Sequence, residues 1–248
     1  MNFMGMAPID VVWGGKLPSH GDFVWSARRD GARVVLEEWL QAGMLQGRSQ
    51  FGDGWGEQLA HSPTWNMLLP SRIAGDNRIM VGCIAPSMDR VGRRYPFVVG
   101  YALPESVVLT STAVLMELPS LLNMTGHHIH SVIQRSLPRS GIDDVWMNVM
   151  AQWSSVFPAS AAVDPPEGSD ILEILGHAST LESEEQRTRP VVRGASYPWP
   201  DIARSLLEKD CPSFWWTHPA GGARLKAFSY ESGMDGTLMT WLFGRNTR

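Results

Sequence analysis

Apolar residues recur along this chain in two rhythms. From Arg33 to Gln46 they fall at Val35, Leu36, Trp39, Leu40 and Leu45, the spacing of one apolar helix face. Asp143 to Phe157 repeats that rhythm with Val145, Trp146, Val149, Met150 and Trp153. Asp143 and Asp144 stand in its first turn, where carboxylates suit the helix dipole. Val107 to Leu137 reads as mainly helical, kinked or split at Pro119. Ser62-Pro63 predicts a helix start that leads into Trp65, Leu68 and Leu69 and stops at Pro70. Further helices are predicted over Pro198 to Lys209 and Asp235 to Phe243.

The second rhythm is the short apolar run. Val11 to Gly15, Asn77 to Ala85 and Tyr95 to Leu103 read as strands. The connection between the last two is too short for a parallel crossover, which predicts antiparallel neighbours. Ser213 to His218 and Leu225 to Tyr230 read as the two arms of a hairpin around Gly221-Gly222. Pro158 to Gly168 reads as a loop, Asp170 to Leu175 as a strand or a helix, and Glu182 to Arg189 as a solvated charge cluster. Neither a repeat nor a linker long enough to force two domains interrupts the pattern.

Composition narrows the function classes. Hydrophobic residues make up 44% of the 248 and charged residues 19%, values ordinary for a globular chain. The outliers are 11 Trp and 13 Met, and tryptophan suits cores and interfaces. A net charge of −4, with no Lys/Arg-rich run, argues against a nucleic-acid footprint. Cys83 and Cys211 lie far apart, without metal spacing, and read as buried thiols. The start lacks a signal-peptide pattern, and Val107 to Leu122 is broken by Glu117 and Pro119, so no membrane span is expected. The expectation is a cytoplasmic protein.

One stretch stands apart, Trp13 to Phe23. After a strand-like lead and a glycine pair, Lys16 to Asp22 forms a shaped loop carrying Lys16, Ser19, His20 and Asp22. It is not a phosphate-binding P-loop, because Asp10 and Leu17 stand where a glycine and a Ser or Thr are needed. Ser87, Asp89 and Arg90, between the two central strands, could with His20 compose a Ser-His-Asp hydrolase. There is no nucleophile elbow or evident oxyanion donor pair to complete it. The competing reading is a structural lock, in which Asp89 and Arg90 or Arg93 pair with each other, or with Lys16 and Asp22, to hold two loops together. His127-His128 and His130 lack a completing carboxylate or cysteine for a metal site. Trp215-Trp216 point to opposite faces if they lie on a strand. Either helices cover both rings, or the outward ring anchors a protein partner.

Four pieces in order resemble one family. They are Gly15-Lys16-Leu17-Pro18-Ser19-x-Gly21-Asp22-Phe23; Trp39-Leu40 with Pro63-x-Trp65; Pro86-Ser87-x-Asp89-Arg90-Val91-Gly92-Arg93-x-Tyr95-Pro96; and Pro212-Ser213-x-Trp215-Trp216. Together they are similar to the TagF family, accessory proteins of the bacterial type VI secretion system. The likeness is dense over 13–103, sparse over 105–200, and returns at 211–217. It implies an α/β fold, a three-layer α-β-α sandwich around a mixed, largely antiparallel sheet. It implies one TagF-like domain over 1–248, with a motif-dense half (1–104), a helical middle (105–210) and a C-terminal hairpin and helix (211–248). It implies a cytoplasmic, non-enzymatic regulator without cofactor or metal, similar to post-translational repressors that bind the system's forkhead-associated scaffold protein. A hydrolase using Ser87, His20 and Asp89, or a structural subunit of the apparatus, are the alternatives. Partner-binding or lock candidates are Lys16, Ser19, Asp22, Trp65, Ser87, Asp89, Arg90, Arg93, Trp215 and Trp216.

Overall fold

The computed structural model describes residues 9–26, 31–135, 137–156 and 196–244. The segments 158–168, 170–175 and 182–189 lie outside the described residues. Seven strands form one sheet: β1 (Asp10–Gly15), β2 (Val24–Trp25), β3 (Trp65–Leu69), β4 (Arg78–Ala85), β5 (Phe97–Pro104), β6 (Ser213–Thr217) and β7 (Ala227–Tyr230). Their order is β2-β1-β5-β4-β3-β6-β7. Every pairing is antiparallel, so the expected mixed sheet narrows to a wholly antiparallel one.

Both faces of the sheet are covered. On β5, Phe97, Val99, Tyr101 and Leu103 enter one core and Val98 and Ala102 the other, as the two-residue period of a strand requires. The first core is roofed by α4 (Glu105–Thr110), α5 (Thr112–Gln134), α6 (Arg139–Val156) and α7 (Ile202–Ser205). The second lies under α1 (Gly31–Phe51), α2 (Trp55–Ala60), α3 (Ser71–Ala74) and α8 (Gly236–Phe243). This is the three-layer sandwich.

Four sequence expectations change, one being that α6 starts at Arg139, so that Asp143 and Asp144 stand beyond its first turn. Residues 65–69 are a central strand, not a helix: all five side chains are buried, between β4 and β6. A strand covered on both faces reads as a continuous apolar run, and five residues are too few to separate the two periods. The long helical region splits at Ser111, not at Pro119. The Ser111 side chain accepts the Val114 N–H and starts α5 afresh. Pro119 sits inside α5 and cannot donate to the Leu115 carbonyl. The Tyr197 hydroxyl donates to that carbonyl instead, at 2.8 Å. Finally, the helix expected over Pro198 to Lys209 shrinks to the single turn of α7.

Buried tryptophans staple the layers through their N–H groups. Trp39 donates to the Asp235 carbonyl just before α8, and Trp65 to the Leu242 carbonyl near its end, both at 2.9 Å. Ser62 donates to the Phe243 carbonyl at 3.2 Å. The last carbonyls of a helix lack intrahelical partners, and here side chains satisfy those of Leu242 and Phe243. Across the other layer, Trp13 of β1 donates to Asp143 of α6 at 2.8 Å.

Candidate functional site

The register brings the end of β1 and the β4–β5 connection to one end of the sheet: Gly15 and Ala85 both face Phe97. Gly15 has φ +129° and lies against the Pro96 carbonyl, where a side chain would collide. The chain then turns out of the sheet, and Lys16 points at the neighbouring loop.

Asp89 is the hub between these two loops. It is 2% exposed. Lys16 Nζ donates to its Oδ2 at 2.9 Å, and Arg93 Nε donates to the same oxygen at 2.6 Å. Oδ1 accepts the backbone N–H groups of Val91 (3.1 Å) and Arg93 (2.9 Å). Burial alone would raise this carboxyl. Hydrogen bonds from Lys16 and Arg93, with the Lys16 charge, overcome that and hold it well below the usual carboxylate range. The Asp89–Arg93 turn closes through Gly92 at φ +86°, the left-handed geometry that glycine tolerates.

The second loop is tied to this turn at several points. Ser87 Oγ donates to the Lys16 carbonyl at 2.7 Å. Arg90 N–H donates to the His20 carbonyl at 2.8 Å, and Arg93 Nη2 to the Gly21 carbonyl at 2.9 Å. Phe23 meets Tyr95 edge-on at 4.7 Å, with Lys16 Nζ 4.8 Å from the Phe23 ring centre. Lys16, Ser87, Asp89 and Arg93 are therefore a lock between loops 16–23 and 87–95.

Other candidates fall outside the lock. Asp22 is exposed and, among the described residues, accepts the neighbouring Phe23 N–H alone. The Arg90 side chain is exposed and makes no hydrogen bond or ion pair among the described residues. Of the two arginines considered for Asp89, Arg93 is the partner. Ser19 pairs with His20 Nδ1 at 2.8 Å. The Ser87–His20–Asp89 relay is not assembled: Ser87 bonds a backbone carbonyl, His20 bonds Ser19, and Asp89 is occupied by Lys16 and Arg93. Trp215 and Trp216 are both buried, one in each core, so the outward-anchor reading of this pair is overturned. Trp65 is likewise buried.

A second polar group at the same end of the sheet carried no sequence motif. His218, directly after β6, is fully buried against α5. Gly126 makes the approach possible, since a Cβ there would fall 2.2 Å from the imidazole. Ala220 N–H donates to Nδ1 at 2.9 Å and Nε2 donates to the Asn123 carbonyl at 3.2 Å, which fixes the neutral tautomer. Burial, with His127 and His130 nearby, pushes its pKa down to about 4, against the opposing Asn123 bond. His130 meets Thr64 Oγ1 at 3.0 Å, and His128 meets the Met124 carbonyl at 2.8 Å. Among the described residues no group of three His, Cys, Asp or Glu side chains is placed to hold a metal. A cleft of about 270 Å³ opens beside His218, lined by Asn66, Leu122, Asn123, Trp216 and Leu225 among others. Only an aligned pair of distant elements creates it, so no local pattern announces it.

No curated protein matches the chain. The crystal structure of PA0076 from Pseudomonas aeruginosa PAO1 matches over 95% of both chains, with 21% identity and a TM-score of 0.55, a similarity of fold. Among the described residues no helix is long and apolar enough to cross a membrane. The model of the TagF N-terminal domain, type VI secretion system-associated, matches residues 12–149, which include both locked loops. With more than half of its length inside that match, the chain belongs to the TagF family of type VI secretion-associated proteins.

Proposed function

We propose that the protein is a cytoplasmic, non-enzymatic repressor of type VI secretion. It acts by binding a component of the apparatus, the forkhead-associated scaffold protein. The observation that carries this reading is the use made of the polar motif residues. Lys16, Ser87, Asp89 and Arg93 bond one another and the backbone, a use that supports a motif built to shape a surface. Family membership supports the cellular setting.

The test pairs binding with output. Purified protein is titrated into purified scaffold protein by calorimetry, and secretion is measured in cells with an intact locus as the level of this protein is raised. Saturable binding together with falling secretion is expected. No heat change up to high micromolar concentrations, with secretion unaltered, overturns the proposal. Co-sedimentation with the assembled apparatus, without repression, would make the protein a structural subunit instead.

A further inference from the structure

The lock has an outer side, and that side differs from the rest of the surface. Loops 16–23 and 87–95 carry four basic side chains, Lys16, Arg90, Arg93 and Arg94, against two acidic ones, Asp22 and Asp89. Lys16 and Asp89 are both buried and paired with each other, which leaves Arg90, Arg93 and Arg94 against Asp22 on the solvent side. The whole chain nevertheless carries a net charge of −4. Between these cations stand two large apolar side chains, Phe23 at 46% exposure and Val91 at 69%.

The patch is also rigid. The Asp89–Arg93 turn is pinned by Oδ1 of Asp89, and the two loops are joined by the Arg90–His20 and Arg93–Gly21 bonds. Arg90 lies across Gly21, its Nη2 3.3 Å from where a Cβ would stand. Arg94 lies along α2 at Gly56 and reaches Met88 Sδ at 3.3 Å. A loop backbone held in this way loses little freedom on binding, which favours specific association.

Resting on the proposed repressor function, we infer that Phe23, Val91, Arg90 and Arg94 form the partner-docking face, and that the partner meets it with an acidic surface around an apolar contact. A small cationic patch on an acidic chain suits such a protein face. A nucleic acid or an anionic membrane presents extended negative charge, which a patch this small on a chain of net charge −4 does not match. The apolar pair supplies the desolvated centre, and the arginines supply steering and orientation at the rim.

The test measures binding of the forkhead-associated scaffold to the full chain and to variants. Val91→Asp changes only an exposed side chain and is expected to weaken binding about tenfold or more. Arg90→Glu combined with Arg94→Glu is expected to weaken it about tenfold and to flatten its salt dependence. Leu207→Asp alters another exposed apolar side chain, away from these loops, and is expected to leave affinity unchanged. Thermal melts of all variants guard against a folding artefact, and Val91→Asp remains decisive if the double variant melts early. Unchanged affinity for Val91→Asp and the double variant, with the natural sequence still binding, overturns this face and leaves the proposed function standing. Failure of the natural sequence to bind the scaffold overturns both. Binding of a random oligonucleotide or of phosphatidylserine vesicles that is lost with Arg90→Glu and Arg94→Glu, while scaffold binding persists, also overturns the inference.

Discussion

Two buried polar clusters sit at the same end of the sheet and solve the same problem in opposite ways. One surrounds Asp89, beside β1, and the other surrounds His218, beside β6; four strand spacings, roughly 19 Å, separate those strands. In the first, a carboxylate stays ionised because two cations and two backbone N–H groups face it. In the second, an imidazole stays neutral because one backbone donor and one backbone acceptor fix its protons. The charged cluster joins two loops and leaves arginines outside. The neutral cluster joins a helix to a strand end and lines a cleft. The paired carboxylate loses its contribution only below the ordinary carboxylate range, whereas the buried neutral base already loses its own below about 6.5.

The strongest way to break this comparison is to remove one charge from the first cluster. Lys16→Met leaves the Asp89 carboxylate buried with one partially exposed cation, and removal of one partner from a buried pair is costly. The melting temperature should fall by about 10 °C. Adding Asp89→Asn to Lys16→Met should recover part of that loss, because no unbalanced charge remains, although Asn keeps only one acceptor oxygen. A double-mutant cycle from thermal melts checks this. If the single change costs nothing, Asp89 is not held as an anion by Lys16, and the lock is wrongly described.

The same contrast separates what was legible in the sequence from what was not. The residue types of the lock could be read, since a lysine, an aspartate and arginines in two loops beside adjacent strands invite pairing. Which arginine pairs could not: Gly92 at φ +86° turns Arg93 back toward Asp89 and leaves Arg90 outside. β4 and β5 announced themselves because both faces are covered and the apolar runs are long. β3 is covered in the same way but spans five residues, so its pattern also fitted a helical turn. Tyr197 satisfies the Leu115 carbonyl, which Pro119 leaves open, from 82 positions along the chain, and no window contains both the proline and its remedy. The His218 cluster depends on α5 crossing the end of β6 at Gly126, a tertiary fact with no local periodicity.

The second cluster yields an acid-sensitivity prediction. The unfolded histidine titrates near its ordinary value of 6.5, and the folded one near about 4. Between those values the unfolded chain binds the extra proton, so stability rises with pH there and is lost as pH falls from about 6.5 toward 4. The loss should be of the order of 2–4 kcal/mol, read from urea unfolding at several pH values. Below about 4 His218 contributes no further loss. Asp89 behaves differently: its contribution is present above the ordinary carboxylate range and disappears only as pH falls through its depressed folded value. His218→Gln should flatten the profile between 6.5 and 4 and leave the more acidic limb in place. An unchanged profile would mean that His130, also pushed down by burial, sets the acid response instead.

The smallest expected effect sharpens the comparison inside the first cluster. Lys16 and Arg93 contact the same Asp89 oxygen, yet their side chains differ in exposure, 9% against 61%. Water screens the more exposed partner and can replace it, so an exposed ion pair contributes little even at good geometry. Arg93→Ala should therefore cost less than about 1 kcal/mol in urea unfolding, far below the effect of Lys16→Met. Its second bond, to the Gly21 carbonyl, is also at an exposed position and adds little to that figure. The loops should remain joined through Ser87–Lys16 and Arg90–His20. Equal losses for Lys16→Met and Arg93→Ala would show that proximity to Asp89, not burial of the cation, sets the strength of the lock.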